Sequence, residues 1–172
     1  MDSPAIAPLT TTVVALFLHG PRASMPGDTE PTPMIAVREV DAIAGAGLEG
    51  EAPRHFRQRT DGIESKRQIS LIDEGTLKRH YERFGEFPVG FVKSQVVLAG
   101  EIHLPDLLGR ELVFGEGDEA VVLELSIRRD PCEEMELITP GLREAMKNGE
   151  QGALARVVRG GNLVVGQSVT VR

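Results

Sequence analysis

The sequence contains a single cysteine, Cys132, among its 172 residues. One cysteine excludes an intramolecular disulfide. In a reducing compartment its side chain stays a thiol that is available for nucleophilic chemistry or metal ligation. The four histidines are scattered along the chain and share no metal-ligand spacing, which argues against a structural zinc site.

Long hydrophobic runs and a basic charge balance are also missing. The segment from Thr10 to Leu18 is apolar but short, and Asp2 lies on its flank where a secretory signal would carry Lys or Arg. No other stretch approaches the roughly 20 apolar residues that a membrane span needs. The net charge of −7 disfavours non-specific attraction to nucleic acid or to anionic membranes. We therefore predict a cytoplasmic protein that binds neither nucleic acid nor membrane.

The composition, with 41% apolar and 26% charged residues, is typical of a globular protein, and we predict one domain over residues 1–172. Short apolar or alternating runs bounded by Gly, Pro and Asp predict strands. These runs are Val13 to Leu18, Ala36 to Ala44, Gln68 to Ile72, Val96 to Ala99, Glu111 to Phe114, Ala120 to Ile127, Ala153 to Val158, Leu163 to Val165 and Ser168 to Val171. Glycine-containing turns between the later runs favour antiparallel pairing. The pattern predicts a mostly-β fold, a barrel or a sandwich, with a few short helices.

Three segments carry helix signals. The first begins at Asp73 and stops at Gly85, with apolar residues at helical spacing between them. The second begins at Thr139 and Pro140. In the third, from Asp130 to Glu133, an acid at the N-cap position and a proline after it predict that Cys132 lies in the first helical turn.

This predicted position of Cys132 bears on its reactivity. Backbone N–H groups and the positive end of the helix dipole would favour the thiolate, as would Arg128 and Arg129. The nearby carboxylates of Asp130, Glu133 and Glu134 would oppose ionisation. The alternative is that Cys132 is a buried small hydrophobic residue without a chemical role.

A local excess of cationic side chains lies between residues 54 and 67, in a chain that is acidic as a whole. Its members are Arg54, His55, Arg57, Arg59, Lys66 and Arg67. Such a segment could close over a phosphate-bearing ligand, or it could be a solvated loop. Lys93 and Arg156 could likewise contact an anion, or they could be surface residues without a binding role. A Cys–His hydrolase that pairs Cys132 with His55 or His103 is chemically conceivable, although no local motif marks an oxyanion hole.

Several motifs together resemble the MOSC domain, the family named after the C-terminal domain of molybdenum cofactor sulfurases. The resemblance runs from about Val13 to Arg172 and depends on the order and spacing of its pieces. These pieces are Gly47 to Glu51 followed by His55, Arg67 to Asp73, Gly109 to Leu112, Arg129 to Cys132 with Met135, Gly152 to Val157, and Gly160 to Leu163.

The resemblance implies a distorted closed β-barrel, with a strand and a Pro-rich loop in residues 1–35 and the main barrel in residues 36–172. It implies that Cys132 is the family's reactive cysteine. In the family this cysteine carries sulfur as a persulfide or ligates a molybdenum pterin cofactor. Some members then reduce N-hydroxylated substrates. Pyridoxal phosphate binding is a further possibility at the level of the family. An enzyme of this kind needs a sulfur or electron donor protein. Anion contacts are expected from Arg67, Lys93, Arg129, His55 and Arg156, with Cys132 as the metal ligand.

The chain also departs from the family pattern. Lys93, Ser94 and Gln95 stand where such domains usually have Arg-Glu-Asn, and Glu51 and Gln167 stand where Asp is common. These changes motivate a second hypothesis, a non-catalytic module that kept the barrel and binds an anionic ligand without the cofactor. A third hypothesis is a redox-sensing thiol protein.

Overall fold

The apolar runs form the strands of a closed barrel in the computed structural model, which describes residues 8–51 and 64–172. In chain order the strands are β1 (Thr10–His19), β2 (Met34–Val37), β3 (Glu39–Ile43), β4 (Gly47–Leu48), β5 (Ile69–Asp73), β6 (Val96–Leu98), β7 (Glu111–Phe114), β8 (Val121–Arg128), β9 (Ala153–Arg159), β10 (Gly161–Val164) and β11 (Ser168–Val171). Three α-helices accompany these strands in the described residues: α1 (Glu74–Phe84), α2 (Glu134–Ile138) and α3 (Leu142–Ala145). The predicted mostly-β fold with a few short helices is confirmed.

Strand β1 closes the barrel by pairing with two other strands. Its first part, Thr10 to Thr12, pairs with β11, and the part from Val13 to Leu16 pairs with β6. The order around the barrel is β1, β11, β7, β8, β9, β5, β6 and back to β1, while β2 extends the sheet from the far end of β1. Strand β1, which precedes residue 36, therefore contributes hydrogen bonds to the barrel on both of its edges.

Two further details differ from the sequence-based expectation. The run from Ala36 to Ala44 is divided between β2, in the barrel sheet, and β3, in a separate sheet with the order β10, β3, β4. Strands β5 and β6 are parallel, whereas the turns between the later runs predicted only antiparallel pairing. Helix α1 lies between these two strands in the sequence and supplies the crossover that a parallel pair requires.

Alternation along the strands divides the apolar side chains between two clusters. Ile69 and Leu71 of β5 belong to the cluster that fills the barrel, whereas Ile72 belongs to a second cluster under the helices. Strand β5 is therefore buried on both faces. The buried residues of the second cluster are Ile72, Leu77, Val92, Val97, Met135, Leu142 and Met146.

Helix α1 begins and ends where the sequence predicts. Asp73 is its N-cap and Gly85, with φ of 81°, is its C-cap. Helix α3 begins at Leu142, two residues later than the Thr139-Pro140 signal indicates. Among the described residues, no helix combines the length and the apolar character that crossing a bilayer would require.

The predicted placement of Cys132 in the first turn of a helix is wrong. Helix α2 begins at Glu134, and Cys132 lies before it and is exposed. The backbone N–H of Arg129 donates to the carbonyl of Gly152 at 3.1 Å. The segment after β8 therefore continues to pair with the residue that precedes β9, and no helix begins at Asp130. The Cys132 carbonyl accepts from the Met135 N–H at 3.2 Å, which makes Cys132 a flanking residue of the helix. The helix-dipole argument for a thiolate therefore does not apply.

The Asp73 carboxylate joins β5, α1 and the segment after β6, and its removal should destabilise the fold. Its oxygens accept from the Thr76 N–H at 3.0 Å, the Thr76 hydroxyl at 2.8 Å and the Ile102 N–H at 3.2 Å. We expect Asp73→Ala to lower the free energy of unfolding by about 1–3 kcal/mol in urea denaturation, because these buried donors lose their acceptor. The control Asp118→Ala removes an exposed carboxylate and should change it by less than about 0.5 kcal/mol. Equal effects of the two substitutions would contradict this assignment.

Candidate functional site

A cleft of about 290 Å³ opens where the end of β1, the starts of β5 and β6 and the segment after β8 meet. Four of the predicted site residues line this cleft together: Arg67, Lys93, Arg129 and Cys132. The remaining lining residues are His19, Ile69, Ser70, Gln95, Asp130 and Leu154. Three cationic side chains and one acidic side chain therefore surround the thiol, which favours a small anionic ligand.

Cys132 also borders a second cavity of about 390 Å³. The segment from Ser24 to Asp28 forms one wall of this cavity, and Glu133, Glu134 and Leu137 form the other. The alternative that Cys132 is a buried hydrophobic residue is therefore wrong, since its side chain is exposed and lies between two openings.

The two arginines of the cleft differ in how they are held. The Arg129 Nη1 donates to the Val92 carbonyl at 3.1 Å and to the Ser94 hydroxyl at 3.0 Å, which fixes the orientation of its guanidinium. Arg67 is exposed, and no residue within the described ranges accepts a hydrogen bond from its guanidinium. A ligand can therefore bind the Arg67 guanidinium without displacing a hydrogen bond that this group makes to the described residues.

Lys93 is buried, and its ammonium makes internal contacts. The Lys93 Nζ donates to the carbonyl of Thr32 and to its hydroxyl, the latter at 2.6 Å, and lies 3.7 Å from the Glu134 Oε1. The same Glu134 oxygen accepts from the Thr32 N–H at 2.9 Å and from the Thr32 hydroxyl at 2.8 Å. Lys93 itself adopts the left-handed backbone conformation, with φ of 62°. This conformation is costly for a residue with a side chain and is held here by the buried contacts.

A histidine that lines the cleft is paired with a glutamate, and the sequence did not single out these two residues as a pair. The His19 Nδ1 lies 3.0 Å from the Glu51 Oε2, and the His19 backbone N–H donates to the Glu51 Oε1 at 3.1 Å. Gln95 donates from its Nε2 to the same Glu51 oxygen at 2.7 Å. Burial alone would raise the pKa of Glu51, but the contacts with His19 and Gln95 outweigh it and lower that pKa. No spacing in the sequence indicates this pair, because it is the barrel that brings the end of β1 next to the residues after β4.

Arg156 and His55 are not among the described residues of this cleft. Arg156 lies on β9 and makes a cross-strand ion pair with Glu124 on β8, with Nε 3.0 Å from Oε1 and Nη2 3.2 Å from Oε2. His55 lies outside the described residues. His103 contacts the carboxyl groups of Asp106 and Glu150 and does not line the cleft, so the structure does not bring it together with Cys132. The described part of the chain contains no group of three or more His, Cys, Asp or Glu side chains that could hold a metal ion.

Comparison with known proteins identifies the fold. No protein-family model matches the chain, and no curated protein matches it by sequence. Solved structures do match, among them the YuaD protein from Bacillus subtilis, with a TM-score of 0.72 over 95% of this chain and 96% of that one, at 18% identity. The chain has a MOSC-like β-barrel fold.

Two further structures with this fold agree. YiiM from Geobacillus stearothermophilus has a TM-score of 0.64 and 19% identity, over 94% of this chain and 75% of that one. YiiM from Escherichia coli has a TM-score of 0.65 and 17% identity, over 96% of this chain and 70% of that one. At these identities the likeness shows the MOSC-like fold alone, and the chemistry has to be argued from the residues of the cleft.

The lowered pKa of Glu51 predicts a pH dependence of stability. A carboxyl whose pKa is lower in the folded than in the unfolded chain stabilises the fold above about pH 4.3, the ordinary Glu value, and this stabilisation is lost as the pH falls through the folded pKa. We therefore expect Glu51→Gln to reduce the loss of stability between neutral pH and about pH 3, measured as the urea midpoint at each pH. The exposed Glu116 provides the control, and Glu116→Gln should leave the wild-type curve unchanged. Parallel curves for wild type and Glu51→Gln would contradict the assignment.

Proposed function

We propose that Cys132 carries sulfane sulfur as a persulfide, or ligates molybdenum through its sulfur, in a cleft that holds a small anionic ligand. The observation that carries this proposal is the exposure of the Cys132 thiol in a cleft lined by Arg67, Lys93 and Arg129. A thiolate is both the nucleophile for sulfur transfer and a soft metal ligand. Guanidinium groups suit the oxygen atoms of a phosphate or another oxyanion.

For sulfur transfer, the thiolate of Cys132 attacks the sulfane sulfur of a donor persulfide. A new S–S bond forms at Cys132 while the S–S bond of the donor breaks, and the electron pair of that bond leaves with the donor thiolate. The outer sulfur is passed on without any external oxidant or reductant. The donor would be a sulfur-carrying partner protein or a small persulfide that can enter the cleft.

The residues present fit a molybdenum pterin in their chemistry. Cys132 would ligate the metal, and Arg67 with Arg129 would hold the phosphate, in a cleft of about 290 Å³ that lies near the lower end of the range for ligand pockets. When bound, the metal would supply redox chemistry at the thiol. The protein contributes the oriented guanidinium of Arg129.

A second candidate function, a binding module without the cofactor, is favoured by the contacts of Lys93. Its ammonium contacts Thr32 and Glu134, so part of the positive charge of the cleft is already balanced inside the protein. A module of this kind would bind an oxyanion through Arg67 and Arg129 and would not need the thiol.

Replacement of Cys132 distinguishes these two functions. In protein produced in a host that makes the molybdenum cofactor, we expect Cys132→Ser to reduce sulfur released by cyanide, or bound molybdenum, to background, because the chain contains no other cysteine. The measurements are cyanolysis and elemental analysis of both proteins. Equal values for wild type and variant would refute the proposal. If both proteins lack sulfur and molybdenum yet bind phosphate, the binding module is the correct function.

The proposed anion contact at Arg67 predicts a specific loss of affinity. We expect Arg67→Ala to weaken the binding of inorganic phosphate, measured by isothermal titration calorimetry, by about tenfold, since one charge-assisted hydrogen bond contributes about 1.5 kcal/mol. Arg156→Ala is the matched control, because it removes the same group from outside the cleft. A loss as large for Arg156→Ala as for Arg67→Ala would contradict the placement of the anion.

A further inference from the structure

Two charged side chains that line the cleft, Arg67 and Asp130, are not paired inside the described part of the protein. Both are exposed, and the side chain of neither makes an ion pair or a hydrogen bond to a residue in the ranges 8–51 and 64–172. They do not pair with each other, although they bear opposite charges and line the same cavity of about 290 Å³. The cleft therefore offers one positive and one negative group to a ligand.

The other ionisable groups of the cleft, apart from the thiol, already have partners. The Lys93 Nζ lies 3.7 Å from the Glu134 Oε1, and the His19 Nδ1 lies 3.0 Å from the Glu51 Oε2. The Arg129 guanidinium is held by hydrogen bonds to a carbonyl and to a hydroxyl group. A ligand that binds to the other two charged side chains therefore displaces none of these contacts.

The carboxylate of Asp130 affects which ligand the cleft favours. A phosphate ion is attracted by the Arg67 guanidinium but repelled by this carboxylate. A zwitterion avoids the conflict, because its carboxylate can bind the guanidinium while its ammonium donates to the Asp130 carboxylate. A repulsive group in a binding site selects against the wrong ligand as well as for the right one. Asp130 would thus discriminate between a zwitterion and a simple anion.

We propose that the sulfur donor of this cleft is a small zwitterion, whose carboxylate binds Arg67 and whose ammonium binds Asp130. An α-amino acid that carries sulfane sulfur in its side chain, such as cysteine persulfide, has this chemistry. This inference rests on the proposed sulfur transfer at Cys132, and it makes Asp130 a specificity-determining residue. A persulfide on a donor protein would not satisfy both charges, because the amino and carboxyl groups of its cysteine are used in peptide bonds.

The position of Asp130 brings the bound amino acid close to the thiol. Asp130 precedes Cys132 by two residues, so their Cα atoms lie no more than about 7 Å apart, and both residues line the cleft. The Cys132 thiolate attacks the outer sulfur of the donor, a new S–S bond forms at Cys132, and the S–S bond of the donor breaks. The electron pair of the broken bond leaves with the cysteine thiolate, so atoms and electrons balance.

The first test measures binding by isothermal titration calorimetry, with L-serine as a zwitterion of similar shape to cysteine but without a thiol. We expect wild type to bind L-serine about tenfold more tightly than hydroxypropionate, which lacks the ammonium, or ethanolamine, which lacks the carboxylate. Asp130→Asn should weaken the binding of L-serine about tenfold and strengthen the binding of inorganic phosphate about threefold, because a like charge leaves the cleft. Arg67→Ala should weaken the binding of both.

The matched control for this test is Glu133→Gln. Glu133 is adjacent to Cys132 and exposed, but it lines the second cavity and not the cleft. Its substitution should leave both affinities at the wild-type values. The opposite responses of L-serine and phosphate to Asp130→Asn also exclude a folding defect, since a misfolded cleft would bind both ligands less tightly. A change of the same sign for both ligands would contradict the role of Asp130.

The second test measures thiol–disulfide exchange at Cys132, which is the only thiol of the chain. The reagents are L-cystine, whose halves are zwitterions, and dithiodipropionate, whose halves lack the ammonium. We expect Asp130→Asn to lower the ratio of the cystine rate to the dithiodipropionate rate about tenfold, because the contact with the ammonium is lost. A change in the reactivity of the thiol itself affects both rates and cancels in this ratio. An unchanged ratio would overturn the inference.

The outcomes separate this inference from the proposed function. If wild type carries sulfur that cyanide releases but binds L-serine no more tightly than Asp130→Asn does, the zwitterionic donor is overturned while sulfur transfer at Cys132 stands. If wild type carries neither sulfur nor molybdenum, yet L-serine binding depends on both Arg67 and Asp130, the proposed function fails while the zwitterion remains the ligand of the cleft.

Discussion

The closure of the barrel by β1 is the constraint on which the rest of the structure depends. This strand hydrogen-bonds to β11 along its first residues and to β6 along the following ones, with an irregularity between Val13 and Ala15. If β1 were absent, both of these neighbours would have exposed edges, and the cluster inside the barrel would lose the cover of Val13 and Leu16. The same strand ends at His19, so the closure of the barrel also forms one wall of the cleft.

The polar residues Lys93, Ser94 and Gln95 show how a buried segment can support a functional cleft. All three are buried, and each contacts a different part of the site. Lys93 binds Thr32 and Glu134, Ser94 accepts from Arg129, and Gln95 donates to Glu51. Buried polar groups are costly unless they are paired, so these contacts fix the positions of Arg129, Glu51 and the start of α2 together. At the positions where this segment departs from the residues usual in MOSC domains, each of the three side chains therefore has partners among the described residues.

The structure brings Cys132 together with three of the predicted anion contacts, but the local structure predicted for Cys132 is wrong. The resemblance placed Cys132 together with Arg67, Lys93 and Arg129, and these four do line one cleft. The helix signal around Asp130 failed because a capping pattern competes with tertiary contacts, and here the backbone of Arg129 bonds to Gly152. Arg156 is a second case in which tertiary contacts matter. Its guanidinium could bind an anion, but its position on β9 places it opposite Glu124, with which it forms an ion pair.

The sequence by itself determined the local elements whose signals are complete within a few residues. Asp73 and Gly85 bound α1, and the alternation along β5 sets which side chains face the barrel. Capping and alternation act between near neighbours, so they can be read without the fold. Only the tertiary structure decided that His19 contacts Glu51, 32 residues away, and that His19 lines the same cleft as Cys132. Contacts of this kind follow from strand order and barrel closure, and no spacing along the chain encodes them.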